Sequence, residues 1–126
     1  MLKGKVSKTH STLLSFGYAF SGIKTALRNE PNIRIHLVLA LLAGVLAFFL
    51  NFSPTEWIIL AFTIAFVLIL ELINTTLETI VDIVSPELNE QAKLAKDVSA
   101  AAVFISALLA VIIGAFLYLP KLSSLL

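Results

Sequence analysis

The chain has no cysteine, and charged residues fill only 13% of its 126 positions. The missing thiols exclude disulfides and thiolate-held metal and say little about compartment. The scarcity of charge excludes an ordinary soluble domain. Hydrophobic residues make up 59% of the chain and the mean hydropathy is +0.99, whereas soluble chains average about 45–50% apolar. No sign of charge dominates either: the net charge is +1, which gives no reason to expect a nucleic-acid partner. The composition is that of an all-α integral membrane protein.

A hydrocarbon core about 30 Å thick takes about 20 helical residues to cross. Three apolar runs reach that length, at 33–52, 57–84 and 97–119, and they predict three transmembrane helices in one domain covering 1–126. Pro54, Pro86 and Pro120 punctuate their ends, as residues that cannot continue a helix do. Ahead of the first run, Leu13, Phe16, Phe20, Ile23 and Leu27 recur at three- and four-residue steps, with Ser21, Lys24, Thr25 and Arg28 on other faces. That spacing predicts an amphipathic surface helix over about 10–30, lying in the headgroup layer or packed against the spans. Pro31 ends it and leaves Glu30 at the bend. The basic start lacks a small-residue cleavage site, which argues against a secretory signal peptide.

Basic residues sort by side. Lys3, Lys5, Lys8, Lys24, Arg28 and Arg34 precede or open the first span, Lys93 and Lys96 lie between the second and third, and the 51–56 loop has none. The positive-inside rule therefore places the N-terminus and the 85–96 loop in the cytoplasm, with Lys121 the one contrary residue. In the third span Ala102, Ser106, Ala110 and Gly114 repeat every four residues, a spacing that lets helix backbones approach closely.

Glu71, Asn74, Glu78 and Asp82 follow one another at steps of three, four and four residues near the inner end of the second span. At about 100° per residue they fall within about 80° of one another, so one helix stripe carries three carboxylates and an amide. Acids at membrane depth are costly unless paired, hydrated or bound to a cation, which makes them functional candidates. Three helices offer little interior to hide such a stripe, so self-association is expected. Glu78, Asp82 and Glu30 are hard oxygen donors of the kind Mg²⁺ takes together with phosphate oxygens. Lys96 could neutralise phosphates, and Asp97 could orient it. This collection suits phosphoryl transfer, which works by positioning and charge neutralisation. The same stripe also suits helix gluing or a proton path. Lys96 and Asp97 alone would read as an interfacial lysine and a helix start, and His36 as a hydrogen-bonded packing residue. The segment from Gly17 to Thr25 imitates a P-loop, but Ile23 separates Gly22 from Lys24 and the period is helical, so it is not a Walker A motif.

The run Glu71-Leu-Ile-Asn74-Thr-Thr-Leu-Glu78-Thr-Ile-Val-Asp82, followed by Ala95-Lys96-Asp97, resembles the small prokaryotic membrane lipid kinases that act on diacylglycerol or undecaprenol. The resemblance extends over about 16–120, with Asn29-Glu30 and Leu119-Pro120-Lys121 supporting it. It implies a homotrimer in the inner (cytoplasmic) membrane with active sites shared between subunits, transferring the γ-phosphate of MgATP to a membrane lipid alcohol. It further implies Glu71 as the general base, Asn74 as its orienting neighbour, and Glu30 and Glu78 as metal ligands. Tyr18, Glu87, Asn89, Lys96 and Asp97, with Glu30 and Glu78, would line the nucleotide site, and Asp82 would support it. Ser11 stands where the diacylglycerol enzyme carries an arginine, with Lys8 nearby, and His36 replaces a glutamate of that enzyme. The stretch Asn32-Ile-Arg-Ile-His36 is instead similar to the undecaprenol kinases, which favours a polyprenol acceptor over diacylglycerol.

Overall fold

The structure, a computed structural model, describes residues 8–87 and 89–126. Among them are four helices and no strand: α1 (Lys8–Asn29), α2 (Pro31–Phe49), α3 (Pro54–Val84) and α4 (Glu90–Ser123). The last three are long and apolar enough to cross a bilayer, so the chain is an all-α membrane protein. Most of their large apolar side chains face outward, the inverse of a soluble bundle, because the surrounding solvent is itself apolar.

Local chemistry sets each helix start. Pro31 and Pro54 occupy first-turn positions, where a missing N–H costs nothing. Glu30 separates α1 from α2 in extended conformation and makes no side-chain cap. Ser53 and Glu56 close a reciprocal capping box on α3, with the Glu56 carboxylate accepting from Ser53 N at 2.6 Å and Ser53 Oγ accepting from Glu56 N at 3.3 Å. Asn89 caps α4 through Oδ1, which accepts from Ala92 N at 2.8 Å. Between α2 and α3 the chain reverses through Asn51 at φ 51°, a left-handed position that asparagine tolerates.

That tight turn brings the C-terminus of α2 level with the start of α3. Since α3 has 31 residues and α2 only 19, α3 runs on by about 18 Å at its other end. Glu71, Asn74, Glu78 and Asp82 lie in that direction, with α4 alongside.

The densest core sits at the opposite, hairpin end, where Ala47, Phe52, Leu60 and Leu117 are buried together. Tyr118 of α4 donates its hydroxyl to the Ala43 carbonyl of α2 at 2.7 Å and leans on Phe52 with ring centres 4.9 Å apart. Lys121 pairs with Glu56 at 3.1 Å, tying the end of α4 to the start of α3. Pro120 departs from expectation: it lies inside α4, which continues one further turn to Ser123. A proline this close to a helix end removes one backbone bond, and the Lys121 contacts hold the turn beyond it. Of the small residues on α4, Ser106 is completely buried and Ala110 and Gly114 are partly so, while Ala102 is exposed. Ser106 borders a cleft against Phe62, Thr63 and Phe66 of α3, and its hydroxyl bonds back to the Val103 carbonyl at 2.7 Å.

Candidate active site

α3 lies between α2 and α4, and its polar stripe is wide enough to face both. Glu71 turns to α2. It is only 3% exposed, and its Oε1 lies 3.1 Å from Nε2 of half-buried His36. A buried carboxylate needs a hydrogen-bond or charge partner, and among the described residues the imidazole is the one beside it.

Asn74 turns to α4. Its Oδ1 accepts from the buried Ser99 hydroxyl at 2.7 Å, and its Nδ2 donates to Glu78 Oε1 at 3.2 Å. The amide thus relays a fixed orientation from α4 to the Glu78 carboxylate, whose second oxygen has no hydrogen-bond partner among the described residues. One turn further, exposed Asp82 forms an ion pair with Lys96 of α4.

Asp97 does not orient Lys96 as the sequence suggested. It pairs with Lys93 one turn earlier, because residues four apart share a helix face while neighbours diverge by about 100°. Asn89 spends its side chain on the α4 cap and on Ser85 Oγ, to which its Nδ2 donates at 3.1 Å. Glu87 is exposed in the α3–α4 turn, where its carbonyl accepts from the Ser85 hydroxyl at 2.7 Å. Tyr18 is 72% exposed on α1, and Ser11 is exposed two turns before it. Glu30 is half-buried at the α1–α2 junction. Among the described residues, no hydrogen bond or ion pair joins Tyr18 or Glu30 to the α3 stripe. The Gly17–Thr25 stretch is unbroken helix and forms no phosphate loop.

For a divalent cation, a single chain supplies a partial set. Among the described residues no group of three or more histidine, aspartate or glutamate side chains is gathered to hold a metal. Glu78, with one oxygen oriented by Asn74 and the other free, suits the one or two carboxylates that Mg²⁺ uses when phosphates supply its other ligands.

Beside Glu71 the surroundings become apolar. A cavity of about 250 Å³ runs between α2, α3 and α4 from His36 to Tyr118, past Ala40, Ala43, Val67 and Gly114. His36, the residue against Glu71, thus forms part of the wall of a cavity lined mostly with hydrocarbon. Two participants escaped sequence reasoning. His36 read as a packing residue, and Ser99 drew no attention although it stands seven residues before Ser106 on the same α4 face, a spacing that would have found it.

The sequence of this chain matches the family model described as prokaryotic diacylglycerol kinase over residues 17–118. A protein named diacylglycerol kinase from Synechocystis is 42% identical over 115 residues, covering 90% of this chain and 66% of that protein. Undecaprenol kinase from Bacillus subtilis is 37% identical over 108 residues, covering 86% of this chain and 88% of the relative. Diacylglycerol kinase from Escherichia coli is 35% identical over 96 residues, covering 76% and 79% respectively. The chain therefore belongs to the prokaryotic diacylglycerol kinase family, whose members are membrane lipid kinases.

Proposed function

We propose that this chain transfers the γ-phosphate of MgATP to the hydroxyl of a membrane lipid, with undecaprenol as acceptor. The observation that carries the reading is the position of Glu71: a carboxylate buried against His36, which itself lines an apolar cavity between α2, α3 and α4. A lipid alcohol enters sideways, with its chain among apolar side chains and its hydroxyl at Glu71, while ATP arrives from water.

Glu71 takes the hydroxyl proton as the oxygen attacks the γ-phosphorus, and Asn74 keeps that end of the site in register. Glu78 and Glu30 would hold Mg²⁺, which would supply neutralisation of the phosphate oxygens. Lys96, steered by Asp82, faces the phosphates from α4, and Asp97, Asn89, Glu87 and Tyr18 bound the nucleotide. Tyr18 and Glu30 share no hydrogen bond or ion pair with the α3 stripe among the described residues, and a homotrimer in which α1 of one copy completes the site of another would bring them to it. The distribution of basic residues favours the cytoplasmic membrane, with the site on the cytoplasmic side. The acceptor is read from the stretch Asn32-Ile-Arg-Ile-His36. Relatives carry both names, so the lipid assay must include both alcohols.

The test is purified protein with MgATP labelled in the γ-phosphate, given undecaprenol and diacylglycerol in separate reactions. Faster labelling of undecaprenol is the expected result. Preferential labelling of diacylglycerol would overturn the acceptor and leave the kinase. Labelling of neither would overturn the kinase and favour a proton or cation path along the same acids.

A further inference from the structure

We propose that His36 is the positioning residue for the base: its Nε2–H holds one oxygen of the Glu71 carboxylate so that the other faces the lipid hydroxyl arriving along the α2–α4 cavity. The inference rests on the kinase reading and adds to it a residue, on a different helix, that governs how the base is aimed.

Three observations converge on it. Glu71 is almost completely buried, and the imidazole of His36 lies against it, with Nε2 and Oε1 3.1 Å apart. His36 itself is half-buried and forms part of the cavity wall together with Leu39, Ala40 and Ala43 of its own helix. The imidazole thus touches both the base and the channel by which an apolar substrate would arrive. The other polar relay of the site, from Ser99 through Asn74 to Glu78, bypasses Glu71, and among the described residues no α4 side chain bonds to Glu71.

A carboxylate side chain has three rotatable bonds, and a base must stand within about 2.6–3.2 Å of the proton it removes. One fixed oxygen settles the orientation of the other. In the transfer step the lipid O–H bond breaks and its proton goes to the free oxygen of Glu71. The lipid oxygen bonds to the γ-phosphorus, and the bond to the bridging oxygen breaks to release ADP. His36 keeps its own proton throughout, so its part is placement.

The distinction between placement and general packing can be measured on the full-length protein in lipid. His36→Leu removes the N–H and is expected to lower kcat about 10–100-fold, the cost of misplacing a reacting group by about 1 Å. The KM for MgATP should stay within about twofold, because the nucleotide groups are untouched. His36→Gln offers an N–H at nearly the same reach and should recover most of the rate, which a bulk packing role would not predict. Independently of turnover, protein labelled with ¹⁵N in its two histidines should show the His36 Nε2 resonance moving in Glu71→Gln while that of His10 stays. Normal kcat in His36→Leu, absence of rescue by His36→Gln, or an unmoved His36 resonance would each overturn the proposal. If the wild-type protein labels a lipid and these results still fail, the kinase reading survives without this inference. If the wild type labels neither lipid, both fall.

Discussion

Replacing Ser99 and Asn74 by alanine, singly and together, tests whether α4 sets the geometry of the α3 stripe. The Ser99 hydroxyl is buried and donates to Asn74 Oδ1 at 2.7 Å, and Asn74 Nδ2 donates to Glu78 at 3.2 Å. Asn74→Ala removes both bonds, whereas Ser99→Ala removes only the first. A hydrogen bond contributes about 0.5–1.5 kcal/mol net. Pairs joining transmembrane helices couple by about 0.6 kcal/mol on average and up to about 1.7. The freed serine can fall back on its own helix, as Ser106 does with Val103, which holds the penalty towards the lower figure. The double-mutant cycle should therefore give a coupling of about 0.6–1.7 kcal/mol, measured by detergent-driven unfolding of protein in mixed micelles. Ser99→Ala should raise the KM for MgATP less than Asn74→Ala, because Glu78 keeps its amide donor in the first. Strictly additive stability effects would refute the idea that this bond fastens α4 to the stripe. Equal KM effects would refute the relay to Glu78.

Glu78→Ala should raise the magnesium requirement of the reaction about 10–100-fold, the range produced by losing even a ligand's supporting partner, and a magnesium titration with unchanged midpoint would contradict the ligand role. Ser106→Leu should destabilise the α3–α4 contact by about 1–3 kcal/mol, since the side chain is completely buried between the two helices and a larger one must displace its neighbours, while Ser106→Ala should change little because its hydroxyl serves its own helix. Unfolding curves of the two variants check both statements.

The helices were legible because a bilayer imposes one solution on a greasy chain. The apolar runs at 33–52, 57–84 and 97–119 lie where α2, α3 and α4 form, although α4 begins earlier, at Glu90, and ends later, at Ser123. Hydropathy marks where lipid lies, and helices continue past it as long as caps such as Asn89 and anchors such as Lys121 support them. Pro120 misled for that reason.

The stripe was legible from periodicity alone, since spacings of three and four fix a helix face without knowledge of its neighbours. What that face touches depends on how α2 and α4 register against α3. No local pattern encodes that register, which is why the His36–Glu71 and Ser99–Asn74 contacts emerged only in three dimensions. Lys96 and Asp97 teach the same lesson in reverse: adjacent in sequence, they face different partners, Asp82 and Lys93.

Glu71 as the base that activates a lipid hydroxyl is the role on which turnover most directly depends. The measurement is the rate of γ-phosphate transfer to lipid by Glu71→Gln, alongside nucleotide binding by the same protein. Glutamine keeps the shape and can still accept from His36, so the fold and MgATP binding should persist while kcat falls about 10²–10⁴-fold, the usual contribution of a general base. A Glu71→Gln protein that phosphorylates lipid at nearly the wild-type rate would contradict the account.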